Sequence, residues 1–151
     1  MEGLVAHTAA SGEDVLFVQQ HLLPDEFIEW VGRPDPGKPY RRLFSKAARA
    51  RRTYFAVTNL RALAVVRGRH GDSVESAFIK LISKVSTSER DIRFGVPSTA
   101  SWSHASKGFD LSVRAQVTNA LTFYDIEDPQ SVAALVERLR AEGMVSDTRG
   151  V

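Results

Sequence analysis

The chain has no cysteine. That excludes disulfides, thiolate nucleophiles and cysteine-ligated zinc, and it suits a reducing compartment. Long apolar runs are missing too: none exceeds Ala62 to Val66, far short of the roughly 20 residues a membrane-spanning helix needs. Glu2 stands where a signal peptide would carry basic residues, and no sustained apolar stretch follows it, so a soluble cytoplasmic protein is expected. The 4 histidines, His7, His21, His70 and His104, form no H-x-E or H-x-x-x-H pair, which argues against a metal site. Ser101, His104 and Asp110 are the residue types of a nucleophilic triad, but no glycine elbow precedes the serine. The phosphate-cradling patterns G-x-x-x-x-G-K-[ST] and G-x-G-x-x-G are absent. The expectation is a non-enzyme without cofactor or metal.

Acidic residues are missing from one long stretch, and this absence carries the most information. Between Asp35 and Asp72 there is no carboxylate, while Lys38, Arg41, Arg42, Lys46, Arg49, Arg51, Arg52, Arg61, Arg67 and Arg69 supply half of the 20 basic residues. The remainder holds ten basic against 18 acidic groups, formally −8, so the net charge of +2 conceals an electrically two-sided chain. Gathered on one side, those ten residues would attract acidic protein surfaces, anionic lipid or other polyanions; the bland alternative is a solvated loop.

At 151 residues, 43% hydrophobic and 25% charged, the chain has the makings of one globular domain with its own core. A short helix is expected from Ser11, which serves as N-cap with Glu13 and Asp14 in the first turn, Val15, Val18 and Leu22 along one side, and Pro24 as the stop. Strands are expected at Glu26–Val31, Thr53–Thr58, Arg61–Arg67, Val74–Ile79, Leu81–Ser88 and Asp91–Val96, with turns near Asn59 and at Gly68–Gly71. The segment from Tyr40 to Arg52 fits either a helix, with Leu43, Phe44, Ala47 and Ala48 on one side, or an extended loop. Phe109, Leu111, Val113, Ala115 and Val117 alternate with polar residues in the cleanest period-two pattern of the chain, and a turn at Thr118-Asn119 lets that strand pair with Leu121–Tyr124. A closing helix follows. Asp128 is its N-cap, Pro129 suits the first helical position, Val132, Leu135, Val136 and Leu139 form one apolar stripe, and Gly143 offers a stop.

Three patches in this order resemble the bacterial pleckstrin-homology-like (PH-like) domain families. They are Leu23-Pro-Asp-Glu-Phe-Ile-Glu-Trp-Val-Gly-Arg-Pro, Tyr54-Phe-Ala-Val-Thr-Asn-Leu-Arg-Ala-Leu and Leu121-Thr-Phe-Tyr-Asp-Ile-Glu-Asp-Pro. The resemblance implies a mainly β fold with α: a PH-like barrel of about seven antiparallel strands in two near-orthogonal sheets, capped by one C-terminal helix, plus a short N-terminal helix. Residues 23–143 would form that domain, 1–22 an extension, and 144–151 a flexible tail. Many members carry apolar membrane-spanning segments between the first two patches; here that place is taken by the basic residues from Tyr40 to Arg52, which makes the chain a soluble variant. Trp30 is expected in the core. Trp102, between Ser101 and Ser103, is either an exposed partner-binding aromatic or a plug over the barrel end.

The functional expectation is a non-catalytic binding or scaffold module working through protein–protein contacts, including contacts with copies of itself. The alternative is peripheral binding of anionic lipid or another polyanion through residues 38–69. Nucleic acid ranks below both, since little aromatic interleaving accompanies the charges.

Overall fold

The computed structural model describes residues 11–34, 44–96 and 120–149, with the side chains of 44–47 and 144–149 left aside. Lys38, Arg41, Arg42 and Trp102 lie outside the described residues, as do the expected strand 109–117, the triad types at 101–110 and the side chain of Lys46. The elements run α1 (Gly12–Gln19), β1 (Ile28–Gly32), α2 (Phe44–Arg51), β2 (Thr53–Thr58), β3 (Arg61–Val66), β4 (Ser73–Phe78), a 3₁₀ turn (Ile79–Leu81), β5 (Lys84–Thr87), β6 (Ile92–Gly95), β7 (Ala120–Phe123) and α3 (Pro129–Arg149). Both sheets are antiparallel, one ordered β1-β2-β3-β4 and the other β5-β6-β7. The open alternative for the basic segment resolves as a helix over Phe44–Arg51.

Every residue of β2 and β3 is buried, because these central strands of the four-stranded sheet are covered on both faces, whereas β4 is largely exposed. Its inner face presents Phe55, Val57, Ala62 and Ala64 to the second sheet and to α3, where they meet Phe94, Phe123, Ile126, Val132 and Val136. The alanines keep that face shallow, leaving room for the rings from opposite strands. Phe123 is at the centre: its ring stacks on Phe55 at 4.6 Å and on Trp30 at 5.8 Å, and meets Phe94 edge-on at 5.0 Å. Trp30, expected in the core, is half-buried and packs against it. Gly32, two residues on, is needed there, since a Cβ would come within 2.5 Å of the Trp30 ring.

The outer face carries Val31, Tyr54, Ala56, Leu63 and Val65, and α1 seals it with Phe17 and Val18. Strands covered on both sides read as continuous apolar runs rather than alternating ones, which is how Phe55–Val57 and Ala62–Val66 appear in sequence. β1 keeps Ile28 and Val31 on the outer side and Trp30 on the inner one because its pairing with β2 shifts register between Ile28 and Trp30; a bulge inserts one residue and reverses the alternation. The capping box of α1 forms as expected: Asp14 N donates to Ser11 Oγ and Ser11 N donates to Asp14 Oδ2, both at 3.2 Å. The helix ends at Gln19, well before Pro24.

At the C-terminal end, Asp128 caps α3, accepting from Ser131 N at 3.2 Å and from Ser131 Oγ at 2.7 Å. Val132, Val136 and Leu139 are buried as the stripe requires. Gly143 does not stop this helix, which continues to Arg149 through residues expected to form a tail. A glycine costs an interior helical position only about 1 kcal/mol, and neither a proline nor a second glycine follows before Gly150.

Two outcomes check this packing. Phe123→Ala should lower unfolding free energy by about 3–5 kcal/mol in urea titration. Gly143→Ala should raise it by roughly 0.5–1 kcal/mol, because nothing lies within 4 Å of the added Cβ; a loss instead would place Gly143 at a helix end.

Candidate functional site

The first two resembling patches are joined by a buried polar network. The Glu26 side chain is fully buried. Arg61 grips it with both arms of its guanidinium, Nε to Oε2 at 2.8 Å and Nη2 to Oε1 at 3.1 Å. Leu23 N and the Thr58 hydroxyl complete the carboxylate's shell at 2.8 and 2.6 Å, and Arg61 Nη2 also donates to His21 O at 2.9 Å. Thr58 Oγ accepts in turn from Leu60 N and Arg61 N, both at 3.0 Å. Asn59 fastens the same turn to the first patch, accepting from Phe27 N at 2.8 Å and donating to Asp25 O at 3.3 Å. Burial pushes the Glu26 carboxyl up, but the bonds from Arg61, Thr58 and Leu23 and the Arg61 charge outweigh it, so it sits below its ordinary value.

Arg61, grouped with the basic surface on its place in the sequence, is therefore an interior residue. The outer face of β3 reads Arg61, Leu63, Val65 and then, just past the strand, Arg67. The loop after α1 closes over the first of these, and the last stays at the open end. Alternation alone does not distinguish the two arginines; the loop does.

At the open end the arginines form a row across three strands. Arg33 follows β1, Arg52 precedes β2 and Arg67 follows β3, with Arg67 N donating to Arg52 O at 2.8 Å. The Arg33 guanidinium lies 4.1 Å above the Tyr54 ring, and that of Arg67 lies 4.3 Å above Phe17 and 5.7 Å from Tyr54. Backbone carbonyls hold the row in place: Arg33 donates to Thr53 O at 3.2 Å and to Arg51 O, and Arg52 Nη1 donates to Arg67 O at 3.1 Å. α2 adds Arg49 and Arg51, and Thr53 Oγ1 ties its end down by donating to Arg49 O at 2.6 Å. Arg49, Arg51, Arg52, Arg67 and Arg69 are exposed. Among the described residues none of these five has a carboxylate in ion-pair range, and the row's one acid is Asp14, 3.5 Å from Arg33.

The structure thus brings Arg52 and Arg67 together, keeps Arg51 next to them at the end of α2, places Arg49 on the lining of the concavity between the sheets, leaves Arg69 in the β3–β4 turn and removes Arg61 to the interior. That turn is held by Gly71, at φ +144, and by Asp72, which accepts from Gly68 N at 3.0 Å and meets His21 Nε2 at 3.1 Å. Sequence reasoning missed Arg33, because Asp35 separates it from the acid-free stretch. The available signal was the strand phase, which puts Arg33 on the same face as Val31.

A concavity between the sheets, lined by Arg49, Phe55, Glu75 and Tyr124 among others, measures about 60 Å³, against roughly 300–1,000 Å³ for small-molecule sites. Among the described residues no three metal-ligating side chains gather, and no helix is long and apolar enough to cross a membrane. Comparison with protein-family models, curated proteins and solved structures finds no match.

The network yields a signed prediction. Glu26→Gln leaves the buried Arg61 charge without its counter-ion and should cost about 3–5 kcal/mol at pH 7 in urea titration. A carboxyl whose folded pKa is lowered adds stability above its unfolded value, and that stability is lost as pH falls through the folded one. The gap between wild type and variant should therefore close below about pH 4. Removing both partners, as Glu26→Leu with Arg61→Met, should cost less than the sum of the two single changes.

Proposed function

We infer that this chain is a non-catalytic binding module of PH-like type, which docks an acidic protein surface on the arginine row at the open end of its larger sheet. The fold-level part of this reading rests on three supports: among the described residues, four-plus-three antiparallel strands each paired with its neighbour in sequence order, a helix after β7, and the three resembling patches. The observation that carries the functional part is the set of exposed arginines that no described carboxylate neutralises. Surface guanidinium groups held by stacking and by backbone carbonyls have lost much of the rotamer freedom that binding would otherwise remove, so a partner's carboxylates meet donors already in position.

A second copy of the chain is a fitting partner. Outside residues 36–71 the formal charge is −8, and carboxylates from that part meeting the arginine row of the next molecule would give head-to-tail association. Light scattering at two salt concentrations tests this. The expected outcome is a mass above one 16.7 kDa chain at low salt, falling to one chain as screening shortens the Debye length from about 30 Å at 0.01 M to 3 Å at 1 M. Arg52→Glu with Arg67→Glu should abolish the low-salt species. A single-chain mass throughout would remove self-association, and recovery with anionic but not neutral vesicles would move the reading to lipid.

A further inference from the structure

α1 does two unrelated things with one short segment. Its Phe17 and Val18 seal the outer face of the sheet, which is packing. Its Asp14 turns to the arginine row, and this is charge. The two oxygens of Asp14 are divided: Oδ2 accepts from Ser11 N in the capping box, while Oδ1 faces Arg33 Nη1 at 3.5 Å. Phe17, three residues on and so on the same side of the helix, puts its ring under Arg67 and against Tyr54, 4.4 Å between ring centroids. The first turns of α1 thus already present to the row what an acidic partner would bring: a carboxylate for one guanidinium and an apolar surface for the next.

We propose that Asp14 is a built-in competitor for the arginine row, occupying Arg33 in cis so that an acidic peptide segment must displace it to engage the whole row. The proposal rests on the acidic-docking reading above. The partner it selects is a chain segment with carboxylates spaced to reach Arg33, Arg52 and Arg67, because among the described residues three guanidinium groups stand beside a single carboxylate, which leaves room for further negative charge. Asp14 lowers affinity for such segments and raises the number of carboxylates a segment must offer. Isolated surface carboxylates are thereby rejected, which is a device of specificity rather than of strength.

The test uses the full chain and a fluorescein-labelled oligoglutamate peptide, followed by anisotropy at low salt. Asp14→Asn keeps an oxygen for the helix cap and removes the charge facing Arg33. Its affinity should rise about two- to fivefold, with melting temperature checked in parallel. Glu142→Gln controls for net charge; it removes one exposed carboxylate on α3, whose partner is Arg138, and should leave affinity unchanged. An Asp14→Asn affinity equal to that of wild type or of Glu142→Gln, with wild-type binding still lost on Arg67→Gln, would overturn the competitor role and leave the docking reading standing. If wild type fails to bind, or binds regardless of Arg67→Gln, the docking reading itself is overturned and the competitor role goes with it.

Discussion

The bidentate pairing of Arg61 with Glu26 organises the rest of the molecule. It lies where the loop after α1 crosses the β2–β3 turn, and it serves both. Through His21 O and Leu23 N it fixes the path of the chain between helix and first strand; through Thr58 it fixes the turn that starts the central hairpin. Two charges out of water are costly unless each finds a full set of partners. Here the carboxylate accepts four hydrogen bonds and the guanidinium has donors directed to Glu26, His21 O and Ser76 Oγ. A network of this kind specifies one arrangement more than it adds stability, because any other seating of α1 would strand a buried charge.

That arrangement has a consequence at the other end of the sheet. With the loop after α1 pinned at Arg61, the helix lies along the outer face and brings Asp14 and Phe17 to Arg33, Arg67 and Tyr54. One end of β3 is thus sealed and structural, the other open and charged. Both ends carry arginine on the same face, and the covering segment decides which is buried as a strut and which stays exposed. The three resembling patches fall largely on the structural side. Glu26, Thr58, Asn59 and Arg61 bond to one another or to the loop, Trp30 and Phe123 stack, and Asp125, at φ 51, is held by a bond from its N–H to Asp91 Oδ1 at 3.0 Å.

Much of this was legible in the residues. The hairpin of Thr53–Thr58 with Arg61–Arg67, whose second strand ends at Val66, its turn at Asn59, the Ser11 cap and the stripe Val132, Leu135, Val136 and Leu139 follow from local chemistry that tertiary contacts reinforce. What was not legible depends on burial by distant segments. Arg61 and Arg67 differ by no local signal. The importance of Phe17 is invisible until α1 is seen on the sheet, while Leu16 beside it is 62% exposed. Gly143 reads as a helix stop by propensity, yet a modest local cost does not end a helix whose preceding turns are anchored by three buried side chains. Arg33 lies outside the acid-free stretch along the chain, whereas the sheet assembles charge across its strands.

The most informative single measurement is a titration of the arginine Nε–Hε resonances by NMR with the oligoglutamate peptide at low salt. The expected result is that the Nε signals of Arg33, Arg52 and Arg67 shift together and return on adding salt. The Arg61 signal should stay fixed and exchange slowly with solvent throughout. Movement of Arg61, or a fixed row while peptide binds elsewhere, would contradict the division of the sheet into a sealed end and a binding end.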